Sequence, residues 1–553
     1  MTPSRSDDVW LAGFFIAAVM IAFGSLGCKG RKGHESSDLD RGRAALAAGR
    51  PADALPFLEK AVKERPGRLG PRRLLAKALV GLGKLSKARQ ILRRGINVSE
   101  KGDPERYPLL LDMADVLVRQ GRYGEAAKVY GQAIEEKPEQ VVAYWRLGEL
   151  YEMNRQWRDA RAAYESLLRR SPGGPVVAEI RLRMARSALK DGDFQRALRD
   201  ARLGLSIQRA APRVRADLER LAGRAAMAAK DWKGSAEHLR KALDLGLQDS
   251  GTLTLYARAV FQSEGCRGQT LIALRRAVRA GGDPWPKALA CLADSGKEGD
   301  KGLALKAAQK ADRRGRLDQE GKVVLARLLL GAGKPDRALD VLDAMAASKG
   351  RLGPKAGLLR AQSLAALGRH GAAFEQFSRL VAQGLQNPKV LRGQALEAVW
   401  SGRYAAGARL LKSLMRRKAR DPELLTAWGV ALGGLGRWAQ ARKTLEAAAA
   451  AARAAKDTRA LERVLVYSAW LDLRTGRLNK ALATSRALAG RPGPFQLHAL
   501  DILAQALIRL GRKAEAARVI QKALTLRSDP AKKAYFRSLL SGLSDQLSPR
   551  RRE

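Results

Sequence analysis

Enzymatic chemistry needs nucleophiles, acid–base pairs, metal ligands or phosphate cradles at workable spacings, and this chain offers only fragments of each. GLGKLSK from Gly81 and GAGKPD from Gly331 set a lysine after a pair of glycines, as a phosphate-binding loop does. Neither keeps the G-x-x-x-x-G-K-[ST] spacing and neither follows a strand-like run, so both read as turns. Glu149 and Glu152 stand three residues apart and could be imagined as an acid–base pair, but on a solvated helix such pairs are ordinary surface. His34, His238, His370 and His498 are scattered, and with Cys28, Cys266 and Cys291 they form no zinc-like cluster. Three cysteines exclude a disulfide framework. Cys266 and Cys291 could pair in an oxidising compartment, yet spacing alone sets no geometry, and free thiols are the expectation. H-E-x-x-H, G-x-S-x-G and kinase signatures are all missing, so no catalytic residue, metal or cofactor is expected.

What the sequence does carry is a period. From Tyr107 to Pro172 two 34-residue segments overlie each other: Ala114, Leu117, Gly121, Tyr123, Ala126, Tyr130, Ala133 and Pro138, then Gly148, Tyr151, Arg155, Trp157, Ala160, Tyr164, Leu167 and Pro172. Within each, an apolar spacing of three to four residues runs for about a dozen residues, pauses at a turn and resumes, which predicts two short amphipathic helices. Turn marks recur at Gly49, Gly83, Gly121, Arg155, Gly192, Lys230, Gly265, Gly299, Gly333, Gly368, Gly402, Gly436, Gly476 and Gly511. That spacing predicts fourteen repeats.

Two columns of small residues accompany the marks. Seven residues before the mark stand Gly42, Ala76, Ala114, Gly148, Ala185, Gly223, Ala326, Ala361, Ala395, Gly429, Ala469 and Ala504, with Arg258 and Leu292 as exceptions. Five residues after it stand Ala54, Ala88, Ala126, Ala160, Ala197, Ala304, Ala338, Ala373, Ala441, Ala481 and Ala516, with Ser235, Thr270 and Gly407 as substitutes. A larger side chain in either column would force the paired helices apart. Such short helices cannot bury their apolar faces alone, so each repeat needs its neighbours.

These residues resemble the tetratricopeptide repeat. The resemblance implies an all-α, right-handed superhelical α-solenoid that binds other proteins, its first helices lining a concave groove. Carried over position by position, the groove residues are Arg43, Arg73, Lys77, Asp115, Trp145, Glu149, Arg186, Arg220, Arg224, Arg327, Lys355, Lys389, Arg392 and Arg463, with Trp400 and Trp470 on the same face. The groove is therefore expected to be cationic with a few aromatic anchors, suited to acidic extended segments. Asp115, Trp145 and Glu149 interrupt the basic face.

Lysine and arginine number 103 against 55 acidic residues, a net charge of +48, so a binder of anionic polymers is the rival reading: nucleic acid, acidic glycan or an anionic lipid surface. No aromatic–basic RNA motif supports the nucleic-acid version. Val9 to Cys28 is an uncharged apolar run followed by Lys29, Arg31 and Lys32. Its end, Ser25-Leu26-Gly27-Cys28, resembles a bacterial lipobox, which implies lipidation at Cys28 and a periplasm-facing lipoprotein. The run is also long enough to be an uncleaved anchor, with the basic flank holding the repeats in the cytoplasm. The lipoprotein is the favoured reading of the two.

The expected organisation is then a membrane-directed segment at 1–28 and a polar linker at 29–37. A first array follows at 38–250, degenerate repeats or a joint at 251–318, and a second array at 319–529. A capping helix at 530–548 and a basic tail at 549–553 complete it. The expected function is a membrane-tethered, non-enzymatic scaffold for protein partners, in the assembly or organisation of a bacterial envelope.

Overall fold

The computed structural model describes residues 37–170, 173–349, 352–415, 421–526 and 530–547. Among these the chain forms 29 α-helices and no strand; in sequence order twenty-eight of them are the first and second helices of fourteen repeats, and one more helix follows. The apolar run at 9–28 with Cys28, most of the linker, Pro172 and the basic tail lie outside the described residues. No described helix is long and apolar enough to cross a membrane.

Each pair is closed by the turn that the sequence period marks. Gly121 adopts φ 71°. Its N–H donates to the Val118 carbonyl, and the Arg122 N–H donates to Leu117 at 2.9 Å, which satisfies carbonyls the helix end would leave unpaired. Arg155 and Lys230 take the same left-handed conformation at φ 58° and 63° without being glycine. Thirteen of the fourteen marks have this geometry; the exception is Gly299, because the turn of repeat 8 is made by Gly296 at φ 78°. The sequence places that turn three residues late because Gly296 and Gly299 both stand near the expected spacing. Proline at the start of the first helix opens repeats 5, 6, 8, 10, 11 and 12, where its missing N–H and fixed φ cost nothing.

Both small-residue columns are buried throughout, including Ser235, Thr270 and Gly407. The glycines in the first-helix column have a specific reason. A Cβ at Gly42 would lie 2.5 Å from Leu58, at Gly148 2.4 Å from Tyr164, at Gly223 2.5 Å from Leu239 and at Gly429 2.7 Å from Leu445. A large residue on the second helix fills the space that glycine leaves on the first, so the pair packs as one solid. Repeats 7 and 8 depart from the scheme. Ala257 is buried where the column would set Arg258, which is exposed. The first helix of repeat 8, Pro286–Ala293, has only eight residues.

Contacts divide the chain into two compact halves, one ending at Ser263 and the other beginning at Glu264. In the first half, the first helices of repeats 1 to 3 touch in succession, as do those of repeats 5 and 6. In the second half, those of repeats 8 to 14 do so. The final helix, Pro530–Leu547, buries Phe536 and Leu543 against Ile520 and Ala523 of repeat 14, covering an apolar surface that has no further repeat to meet it.

Cys266 and Cys291 form a disulfide with their Cα atoms 5.6 Å apart, contrary to the expectation of free thiols. The turn of repeat 7 carries Cys266 directly over the short first helix of repeat 8, a juxtaposition that a separation of 25 residues does not reveal.

Candidate interaction surface

The first-helix face is built from residues whose fate depends on the neighbouring repeat. Arg73 of repeat 2 reaches Asp112 of repeat 3 at 2.7 Å. Asp115 accepts from the Tyr130 hydroxyl at 2.5 Å and from Arg146 of repeat 4. Glu149 and Glu152 of repeat 4 both meet Arg183 of repeat 5, at 3.2 and 3.0 Å, and Glu152 also accepts from Ser187. The Arg183 guanidinium lies over the Trp145 ring, 5.5 Å from its centroid, and Trp145 meets Tyr164 edge to face. Burial raises the Glu149 carboxyl above its ordinary range despite Arg183. Glu149 and Glu152 thus link two repeats.

The second half repeats the device. Arg392 of repeat 11 meets Asp421 and Glu423 of repeat 12, and Arg463 of repeat 13 reaches back to the same Glu423. Hydrogen bonds from Arg392 and Arg463 outweigh burial and hold Glu423 below its ordinary range. Arg327 lies 3.2 Å from Asp294. Trp400 stacks on Tyr467, 5.0 Å between centroids, and Trp470 packs beside Gly433, so both rings are partly used as inter-repeat filling.

Once these pairs are formed, the remaining positive charge is uneven. Arg43 has only Asp40 at 3.9 Å on its own helix, and Lys77, Lys355 and Lys389 stand exposed and apart. Arg186, Arg220 and Arg224 come together on the touching first helices of repeats 5 and 6. Arg220 holds Asp217 at 2.7 Å and approaches Asp249 at 3.9 Å. Neither Arg186 nor Arg224 has an acidic partner among the described residues. Burial lowers the Arg224 guanidinium pKa, and the Arg220 and Arg186 charges lower it further. Among the described residues expected to line the groove, these three stand near enough for the charges of Arg220 and Arg186 to act on Arg224.

Sequence reasoning missed Arg183, Arg146 and Arg106. Arg106 donates to the Ile96 and Ser99 carbonyls and pairs with Glu136 at 3.1 Å. A usable signal was present, since most of these pairs join a base and an acid separated by about one repeat.

Models of the tetratricopeptide repeat match residues 45–111, 111–175, 323–388 and 499–534. These segments are tetratricopeptide repeats. Proteins built from tetratricopeptide repeats are generally scaffolds that bind other proteins, and the fold is typically non-enzymatic. Among solved structures, yeast Tom70 is similar at 16% identity over 81% of this chain and 97% of that one, with a TM-score of 0.32. The Cut9 and Hcn1 hetero-tetramer of the APC/C is similar at 14% identity over 91% and 96%, with a TM-score of 0.35. A MamA protein is similar at 17% identity over 31% and 90%, with a TM-score of 0.28. No curated protein matches the sequence.

Proposed function

We propose that this chain is a membrane-tethered scaffold that captures an acidic, extended segment of a partner protein on the first helices of repeats 5 and 6. The observation that carries the reading is the Arg186, Arg220 and Arg224 cluster on these touching helices, where burial and then the charges of Arg220 and Arg186 lower the Arg224 guanidinium pKa. Elsewhere on this face acidic groups of the adjacent repeat already neutralise most arginines; here a carboxylate from another chain would relieve repulsion between cations. Binding would be led by charge, with specificity from side chains on either flank. Replacing Arg220 and Arg224 with glutamate is expected to abolish partner capture in crosslinking pulldowns and leave helix content unchanged. Undiminished capture would place the partner elsewhere.

The tether is the N-terminal apolar run, with Cys28 as the lipidated residue and assembly or organisation of a bacterial envelope as the setting. The Cys266–Cys291 disulfide supports export, because such bonds persist in oxidising compartments and are rare in the cytosol. Mass spectrometry of the mature N-terminus is expected to find a diacylglyceryl-modified Cys28 as the first residue. An intact Met1 would establish the uncleaved anchor instead.

A further inference from the structure

The second helices carry cations that form no ion pair among the described residues, and four of them stand around one hollow at the second helix of repeat 8. Its second helix, Glu298–Arg313, presents Lys306, Lys310 and Arg313, followed by Arg314, all exposed. With Gln309 they line a shallow surface hollow. None of the four has an ion-pair partner among the described residues, and no acidic side chain lines the hollow. Positions 306, 310, 313 and 314 fall on one helix face, so positive charge recurs about once per 5.4 Å turn along a ridge. The helix of repeat 7 that packs beside this one adds an exposed Arg279 near its end. Near that end, Lys310 Nζ approaches Gly281, 3.8 Å from where a Cβ would stand.

We propose that this ridge docks a linear acidic polysaccharide. A row of cations at turn spacing matches a chain with one carboxylate per sugar, and Gln309 adds an amide that can pair with hydroxyls. The lining also disfavours the other polyanions. It has no aromatic ring on which the bases of a single strand would stack. None of the large exposed apolar side chains lies between 298 and 316, so nothing there would enter a lipid layer. It has no apolar anchor of the kind that concentrates the energy of a protein contact. The ridge is separate from the arginine cluster of repeats 5 and 6 and does not depend on that cluster's role.

The test uses the full chain and a fluorescent polygalacturonate oligomer, with single-stranded DNA and phosphatidylglycerol vesicles as alternative ligands. The wild-type chain is expected to bind the oligomer with an affinity that falls steeply with salt, since binding releases condensed counterions. Replacing Lys306, Lys310, Arg313 and Arg314 together with serine is expected to weaken binding by roughly tenfold or more, at unchanged helix content and melting temperature. The Arg220→Glu, Arg224→Glu chain should retain it, which separates this result from failure of the partner site. Equal binding by the wild-type and four-serine chains would overturn the proposal. So would a tighter, serine-sensitive binding of the DNA or the vesicles.

Discussion

Replacing Arg183 with methionine is expected to destabilise the junction of repeats 4 and 5 by about 3 kcal/mol at neutral pH, the low end for a buried pair because Glu149 is partly solvated. Arg183 is 14% exposed and is the shared partner of Glu149 and Glu152, the latter 13% exposed. Methionine keeps much of the stem's packing over Trp145 and removes the charge, so Glu152 is left without its cation where water reaches it poorly, while Glu149, 39% exposed, keeps part of its hydration. The sign of the pH response follows. Glu149 already titrates above its ordinary 4.5 because it is buried, and Arg183 opposes that rise. Without Arg183 its folded-state pKa climbs further, so the folded chain takes up a proton that the unfolded chain does not. Stability of the variant should therefore increase as pH falls through the raised pKa toward 4.5, and the gap to wild type should narrow. Amide exchange of residues 141–191 at pH 7 and pH 5 reads this directly. A gap of equal size at both pH values would mean that lost packing, rather than stranded charge, sets the effect. Adding Glu152→Gln to the variant should recover part of the loss at pH 7.

Much of this architecture was legible because it rests on local rules. Gly121 needs a left-handed turn, Gly148 needs to admit Tyr164, and Ala126 needs to let two helices close; each requirement leaves its mark at a fixed offset in the sequence. The face presented to partners was less legible. Position within the repeat places Arg73, Arg392 and Arg463 on the first-helix face, but whether each stays cationic depends on Asp112, Asp421 and Glu423, residues of a neighbouring repeat. Charge on a repeat protein is a property of adjacent repeats taken together. Arg186 and Arg224 differ from Arg392 only in lacking an acid at that distance. Repeats 7 and 8 were the least legible part, since Arg258 breaks the column, Gly296 and Gly299 compete for the turn, and a covalent bond replaces part of the packing.

That bond carries the second large effect. Changing Cys266 to serine is expected to cost about 3 kcal/mol, the chain entropy released when a closed loop of some 25 residues is opened. Cys266 is exposed and Cys291 is buried at 5%, so the substitution at Cys266 breaks the bridge without hollowing the core. The loss should be concentrated where helix is intrinsically weakest. Pro286–Ala293 is shorter than any helix that holds together by itself in water, and only Ala288, Leu289, Cys291, Leu292 and Ala293 bury it. Because each repeat touches only its neighbours, amide exchange should quicken across residues 268–313 and leave repeats 13 and 14 as they were. Reduction of the wild-type chain should reproduce the pattern. If exchange rises along the whole chain, the repeats unfold as one cooperative block and the bridge governs all of them. If nothing changes, packing of the short helix suffices, and the bond's remaining meaning is as a record of the compartment in which the chain folds.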